Sequence, residues 1–195
     1  TDADILNFAL TLEHLEGTFY AEGLAKYNQN AFISAGFSAS TRQSLQKISD
    51  DEASHVSFLT SALQAAGATP AQACKYSFLY SDVKSFLAVS QNIGDFSIGV
   101  LGYLGAAASI KNGGYLTAAG SILTVEAQHN AFVRFVNGDS SFPAAFDTPL
   151  GPRGVVTLAT PFFASCPAGS APGLKGFPAL NITGTLTPGS SLTIS

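Results

Sequence analysis

The sequence predicts an all-α protein: a four-helix bundle followed by a long, irregular and partly extended C-terminal tail. Four segments within residues 1–139 carry apolar side chains at the three- and four-residue spacing that is typical of one helix face. Two of these segments also carry a Glu-x-x-His motif on the apolar face. All of the nine prolines except Pro70 lie beyond residue 139, where they exclude a long helix. We therefore predict a bundle over residues 1–139 and a Pro-rich tail, residues 140–195, that packs on it.

Composition and charge narrow the class of protein. The 195 residues are 46% apolar and only 11% charged, which is enough apolar material for one sizeable core. The net charge of −4 gives no basic surface, so we expect no nucleic-acid partner. The most continuous apolar run, residues 98–110, is too short and too rich in Gly to span a bilayer, so we expect no membrane span.

The first predicted helix begins in residues 1–4 and runs to about residue 27. An Asp can cap its start, where early negative charge also favours a helix. On the helix periodicity, Glu16 projects from the middle of the apolar arc and Glu13 from near its edge. His14 points away from that arc and is predicted to be a surface residue.

The second predicted helix, residues 41–66, follows a polar connection over residues 28–40. Ser40 or Thr41 can cap its start, and Gly67 ends it. Its apolar face carries the first of the two Glu-x-x-His motifs. Because the connection is short, the first two helices should pack antiparallel.

The third predicted helix, residues 82–110, is the least helical by propensity. It contains four glycines, each costing roughly 0.5–1 kcal/mol relative to Ala. The gain that offsets this cost would be a close approach to a neighbouring helix. Its only acids are Asp82 at the start and Asp95, which projects about opposite the apolar arc. The third helix therefore offers no inward carboxylate.

The fourth predicted helix, residues 114–136, carries the second Glu-x-x-His motif and ends before Gly138. In the tail, residues 155–159 are predicted as a short helix or strand. Residues 180–194 alternate Thr with apolar residues and are predicted to be extended. The many Phe residues of the tail favour a segment draped over the bundle rather than a disordered one.

The chemistry of the chain is concentrated on the inward faces of these helices. A buried carboxylate or imidazole without a partner costs several kcal/mol or loses its charge, so such groups need one another or a cation. Two Glu-x-x-His motifs on facing helices, with acids from other helices, form the di-metal carboxylate site of helical bundles. The candidate metal ligands are Glu13, Glu16, Glu52, His55, Glu126 and His129.

Several states of this site stay open. Carboxylates bridge and neutralise cations, and imidazole suits transition metals, so the predicted cofactor is Fe, Mn or Zn. The alternative is an empty site in which Glu and His satisfy each other and one carboxyl keeps its proton through a raised pKa. Since the third helix supplies no acid, we do not expect a symmetric pair of ions, and a single metal, an asymmetric site and an empty site stay open. No nucleophilic arrangement of Ser, Cys and His is found, so no catalytic residue is predicted.

The cysteines and one tripeptide bear on the compartment. Cys74 and Cys166 are far apart and lie outside the predicted helices. This usage suits a single disulfide in an oxidising compartment better than a redox or zinc site, which needs closely spaced cysteines. Asn181 begins an Asn-Ile-Thr glycosylation acceptor sequence. Together these features predict a secreted, extracellular glycoprotein.

Six stretches carry a resemblance to a known family: ILNFALTLEHLEGTFY at 5–20, DEASH at 51–55, GYLGAA at 102–107, ILTVEAQH at 122–129, FDTP at 146–149 and SCP at 165–167. They resemble the ferritin-like proteins grouped with the desiccation- and stress-related proteins of plants, bacteria and fungi. The resemblance implies a ferritin-like four-helix bundle, secretion as in the fungal members, and a disulfide between Cys74 and Cys166.

The resemblance also bears on the ligands. In ferritin-like proteins the ligand of the first helix commonly precedes a Tyr by seven residues, which points to Glu13, whereas the helix periodicity favours Glu16. Both stay candidates. Relatives commonly carry a Glu just before a Gly-Val pair of the third helix, where this chain has Phe96. The resemblance therefore implies an incomplete ligand set, which counts against oxidase or iron-storage activity.

Three functions are compatible with these observations. The first is a secreted ferritin-like protein with an incomplete metal site in the bundle core. The second is a non-catalytic small subunit that stabilises a larger secreted oxidoreductase such as a laccase, or a homo-oligomer. It is favoured by the low surface charge and the Phe-rich tail. The third is a stress or cell-wall protectant, for which only the family resemblance speaks.

Overall fold

The fold is known from a computed structural model that describes residues 1–94, 99–170, 173 and 175–179, and the backbone of 182–183 and 193–194. Helices dominate the described residues. They are α1 (Asp2–Lys26), α2 (Gln29–Ser34), α3 (Ala39–Ala65), α4 (Val83–Gly94), α5 (Gly99–Ala107), α6 (Gly113–Asn137) and α7 (Pro152–Ala159). The strands are short: β1 (Lys75–Tyr76), β2 (Phe163–Ser165), β3 (Ile182–Thr183) and β4 (Thr193–Ile194).

Helices α1 and α3 pack antiparallel, as predicted. The guanidinium of Arg42, near the start of α3, donates hydrogen bonds to the carbonyls of Leu24 (2.9 Å) and Tyr27 (3.0 Å) at the end of α1. Towards the other end of the pair, the imidazole of His55 meets Glu13. These contacts fix the register that brings the first helix against the first Glu-x-x-His motif.

The starts of these helices differ from the predicted ones. Thr1, not an Asp, caps α1, and it forms a reciprocal capping box with Asp4. Ser38, rather than Ser40 or Thr41, caps α3 by accepting a hydrogen bond from the amide of Thr41. The connection between α1 and α3 also contains α2, which starts at the Asn28 cap and buries Phe32 in the core.

The third predicted helix is resolved as two helices, α4 and α5, and residues 95–98 lie outside the described residues. Both run antiparallel to α1. The hydroxyl of Tyr20 hydrogen bonds to Ser90 Oγ at 2.8 Å, and Gly102 lies against Leu12 further back along α1. The glycines thus permit a close approach, as predicted for this helix.

The buried face of α5 was predicted only in part. Val100 is buried, as a single helical phase through residues 82–110 predicts, but Tyr103 and Ala106 are buried in place of Leu101 and Leu104, which are only half-buried. Helix α5 therefore has a different rotation about its axis from the one that a single phase gives.

Helix α6 completes the bundle and runs parallel to α1. Ala119 and Ile122, early in α6, share a core cluster with Leu6, whereas Val133, late in α6, shares one with Phe19. At the far end, the Asn137 side chain donates a hydrogen bond of 3.0 Å to the carbonyl of Leu87 in α4. No helix among the described residues is long and apolar enough to cross a membrane.

The described part of the tail packs on the bundle. Helix α7 buries Val155 and Val156 against Leu12 and Leu15 of α1, and residues 155–159 are therefore helical rather than a strand. A disulfide joins Cys74 and Cys166 next to the antiparallel pair of β1 and β2. Strands β3 and β4 pair within the stretch predicted to be extended. The division into two parts at residue 139 stays a prediction.

Substitution of Gly23 by Ala should destabilise the bundle. A Cβ at this position of α1 would lie 2.0 Å from Cε2 of the fully buried Phe86 ring. Overpacking of this kind costs about 1–3 kcal/mol, which exceeds the roughly 0.5–1 kcal/mol that Ala gains over Gly in a helix. Urea denaturation measures the difference.

Gly120 of α6 supplies the matched control, since a Cβ there would meet nothing within 4 Å. Gly120→Ala should raise the free energy of unfolding by about 0.5–1 kcal/mol. Equal and stabilising effects at both positions would contradict the close approach of α1 and α4.

Candidate metal centre

All six predicted ligands lie in the interior of the bundle. Glu13, Glu16, Glu52 and Glu126 are at most 1% exposed, and the side chains of His55 and His129 are 12% and 10% exposed. Three helices supply them: α1 the first two acids, α3 and α6 one Glu-x-x-His motif each. The amphipathic period of α3 and α6 directs their motifs inward, whereas both acids of α1 are inside because other helices cover most of that helix.

Four of these residues form a compact group. His55 Nδ1 lies 3.1 Å from Glu13 Oε2, 3.3 Å from Glu52 Oε2 and 3.2 Å from Glu126 Oε1. One ligand atom from each of the four residues lies within 4.8 Å of the others. Such a set of oxygens and one imidazole nitrogen can surround a single metal ion.

Glu52 and Glu126 also face the second imidazole. His129 Nδ1 lies 3.1 Å from Glu52 Oε1 and 3.8 Å from Glu126 Oε2. Each of the two carboxylates therefore turns one oxygen to His55 and its other oxygen to His129. The centres of the two imidazole rings are 6.4 Å apart. This is the arrangement of two carboxylates that bridge two adjacent positions.

Two residues of the site were not predicted from the sequence. Tyr103 of α5 donates a short hydrogen bond to Glu13 Oε1, which leaves Oε2 of that carboxylate for the cluster. Asp51 Oδ2 lies 3.4 Å from His129 Nε2. A carboxylate on the outer nitrogen holds the proton there and leaves Nδ1 free as a ligand. Asp51 directly precedes Glu52 in the sequence, so that adjacency was the available signal.

Several buried polar atoms of the site have no hydrogen-bond partner among the described residues. They are both carboxylate oxygens of Glu16, Oε1 of Glu126 and Nδ1 of His129. The last two lie near charged neighbours but not in a direction that makes a hydrogen bond. Buried polar groups are rarely left unpaired. Unpaired lone pairs on buried carboxylates and an imidazole fit a metal site, because cations would use them.

Protons can partly take the place of a cation. Burial raises the pKa of both Glu13 and Glu16 well above the usual value. Burial acts in the same direction on Glu52, but the His129 and His55 imidazoles beside it outweigh burial and lower its pKa to about 2. Although burial opposes their charge, the surrounding carboxylates raise the pKa of His55 to about 12 and that of His129 to about 10. Without metal, therefore, the core is a network of imidazolium and carboxylate.

The metal-free protein should lose stability as the pH rises, from about 4.5 through the raised pKa of Glu13 and Glu16 and further above about 6.5 through the two imidazoles. Both imidazoles have a folded pKa above the ordinary value of 6.5, so their stabilising effect is complete below that pH and is lost on the way to pH 10 and 12. The lowered pKa of Glu52 acts only at acid pH, where its contribution is lost below 4.5. Urea midpoints of stripped protein across this range measure the loss.

With Zn²⁺ present, the effect of pH on stability should have the opposite sign, because metal binding needs deprotonated ligands and releases protons. The metal-induced increase in stability should therefore grow with pH. A stripped protein whose midpoint rises steadily to pH 9 would contradict the paired imidazolium network.

A cleft connects the cluster to solvent. It has a volume of about 570 Å³ and opens between α3 and α6. Asp51, His55 and His129 line it, together with Lys47 at the rim. An ion from solvent would pass these residues first, since Glu13 and Glu16 lie deeper.

His14 is half-buried rather than on the surface, because residues 69–74 cover it, and its Nε2 lies 3.1 Å from the carbonyl of Ala71.

The Cys74–Cys166 disulfide is present in the structure. The glycosylation acceptor Asn181 and, in the third predicted helix, Asp95 and Phe96 lie outside the described residues. Their predicted roles stay predictions.

Comparison with known proteins gives two findings. The family model of the ferritin-like domain matches residues 1–139. Protein rds1 of Schizosaccharomyces pombe is 28% identical over 183 residues, a match that covers 93% of this chain and 44% of rds1. The chain thus spans less than half the length of this curated relative.

Proposed function

The chain belongs to the ferritin-like domain family, and on that premise we propose that it is a metal-binding protein with two adjacent cation positions in its bundle core. The family match covers all four bundle helices and confirms the ferritin-like architecture predicted from the sequence. Fold alone does not establish a function. The proposal therefore rests on the site.

One observation carries the proposal: Glu52 and Glu126 each present one oxygen to His55 and the other to His129. If these acids only paired with one imidazole, one oxygen of each acid would be enough. Carboxylates that face two imidazoles at once are suited to two cations, whose charge offsets the mutual repulsion of buried acids.

The donor set narrows the metal. It offers carboxylate oxygens and imidazole nitrogens but no thiolate, since both cysteines are in the disulfide. Such a set suits Fe, Mn or Zn. Bound Fe or Mn would supply redox chemistry and Zn only Lewis acidity. The protein's own contribution is to hold the ligands: Asp51 orients His129, and Tyr103 fixes one oxygen of Glu13.

Metal analysis tests the proposal. Protein stripped with a chelator, then loaded separately with Fe²⁺ under anaerobic conditions, Mn²⁺ or Zn²⁺ and desalted, should retain one of these metals at a fixed ratio to protein. The double variant Glu52→Gln/Glu126→Gln should retain none, because it loses both shared carboxylates. Equal metal contents in the two proteins would refute the core site.

We propose further that the protein works outside the cell. The Cys74–Cys166 disulfide supports this, because such bonds persist in oxidising compartments. Antibody detection in the culture medium of the source organism, with cell lysate as the comparison, tests it. Protein found only in the lysate, with both thiols free, would refute secretion.

A second candidate function is that of a non-catalytic partner, either a small subunit that stabilises a larger secreted oxidoreductase such as a laccase or one copy of a homo-oligomer. Phe135, Phe142 and Phe146 favour it, since they are 71%, 86% and 89% exposed. Exposed apolar side chains mark protein contacts where they form a contiguous patch. A native protein that sediments as a monomer and co-purifies with no enzyme would argue against it.

A further inference from the structure

Glu16 has no evident role in a site built only from the group around His55. Its side chain is 1% exposed, and neither oxygen has a hydrogen-bond partner among the described residues. A buried carboxylate without a partner is costly. By contrast, Glu13 of the same helix contacts both Tyr103 and His55. The molecule therefore keeps a second acid, unpaired among the described residues, one helical turn from the first.

The helix register places Glu16 at the same height along the bundle as His129. Since α6 runs parallel to α1, the step from Glu13 to Glu16 along α1 is matched by the step from Glu126 to His129 along α6. Helix α3 runs the other way, and Gly17, next to Glu16, faces Glu52, since a Cβ added at Gly17 would lie 3.6 Å from the Cβ of Glu52. Glu13 thus shares a level with His55, and Glu16 shares one with Glu52 and His129.

The surroundings of the two imidazoles differ in one respect. His55 has the two shared carboxylates and Glu13 as a third acid. His129 has the two shared carboxylates, but on its inner nitrogen, Nδ1, no third acid makes a contact and no hydrogen bond is formed within the described residues. Asp51 contacts only the outer nitrogen. The position beside His129 lacks a third carboxylate, and Glu16 is the unpaired acid at that level.

We propose that Glu16 supplies the carboxylate that completes the second cation position, so that one helix provides the outer acids of both positions. This inference rests on the proposed metal-binding function. Two shared and two outer carboxylates with two neutral imidazoles carry four negative charges, which two divalent cations neutralise. The third predicted helix then need not supply a ligand, and the lack of an inward acid that the sequence predicts there is compensated within α1.

The stoichiometry of Zn²⁺ tests this assignment. Stripped protein is loaded with Zn²⁺ and desalted, and bound metal is counted by elemental analysis and by native mass spectrometry. Wild type should bind about two ions per chain, and Glu16→Gln about one. Glu22→Gln is the matched control: it removes the same charge from an exposed position of α1 and should still bind two. The loss of one ion in Glu22→Gln as well would overturn the assignment.

A second variant separates Glu16 from the other acid in question. Asp95→Asn removes the acid of the third predicted helix and should leave two ions bound. Loss of one ion in Asp95→Asn together with two ions in Glu16→Gln would overturn the assignment. The visible spectrum of Co²⁺-loaded protein adds a readout of ligand change, and Glu16→Gln should lose the absorption of one of the two sites.

The possible failures are distinguishable. Wild type without bound metal would refute the proposed function itself. Wild type with a single ion, unchanged by Glu16→Gln, would leave metal binding intact and refute only the role of Glu16.

Glu16→Gln breaks no hydrogen bond in the described structure, so it should fold, and its metal-free denaturation midpoint should not fall. Glu16→Asp keeps the charge but shortens its reach, so an unweakened second ion there and in Glu16→Gln would also overturn the assignment.

Discussion

Replacement of Glu52 by Gln is expected to weaken metal binding more than replacement of any ligand that faces only one of the two cation positions. Its two oxygens face His55 and His129 at 3.3 Å and 3.1 Å, so the variant removes an anionic ligand from both cation positions. Loss of a residue that only orients a ligand typically costs about 10–100-fold in affinity. We expect the loss at Glu52 to exceed that range, as measured by competition with a chromogenic Zn²⁺ chelator.

Two neighbouring acids on α3 provide graded controls. Asp50→Asn removes an equal charge from an exposed side chain that contacts only Gln46 in the described structure, and affinity should not change. Asp51→Asn removes the partner of His129 Nε2 and should cost about 10–100-fold. Equal effects of all three substitutions would indicate general electrostatics and contradict specific ligation. Circular dichroism establishes that each variant is folded.

Replacement of both cysteines by Ala should cause the largest loss of stability. The disulfide joins residues 92 positions apart, and closing a loop of that size stabilises by about 4–5 kcal/mol in the chain-entropy account. It also anchors the β1–β2 pair, whose Tyr76 and Phe163 side chains pack on the α1–α7 contact. The free energy of unfolding from urea denaturation measures the loss.

Metal content serves as the control for the cysteine variant. Neither cysteine is near the ligand cluster, so the folded variant should bind the same number of ions with unchanged affinity. An unfolding midpoint that matches wild type would contradict the stabilising role of the disulfide. A loss of metal without a loss of stability would contradict the separation of the tail from the site.

The ligands on α3 and α6 could be predicted because those helices are amphipathic. Each has a solvent face, so the period of its apolar residues locates Glu52, His55, Glu126 and His129 on the inward side. Helix α1 is different. It is covered by α3, α4, α5 and α7, and it buries residues around most of its circumference. A helix without a broad solvent face gives no period by which to choose between Glu13 and Glu16, and both are inside.

Tyr103 and His14 show what local sequence could not provide. The orientation of Tyr103 depends on α5 being a separate helix with its own rotation, which the spacing within 82–110 did not reveal. His14 is half-buried because residues 69–74 lie over it, a contact between segments far apart in the chain. Tertiary coverage decides both cases, and helix periodicity carries no information about it.

The coverage of α1 has a consequence for backbone amide exchange with deuterium. Amides on α1 should be the last to exchange, since exposing them requires the surrounding helices to separate, which amounts to global unfolding. Local breathing of α3 and α6 at their shared cleft would expose the imidazoles while the acids of α1 stay in place. Deuterium uptake should therefore be slow in α1 and faster in α3 and α6 along their cleft. Bound ions should slow uptake most along that cleft.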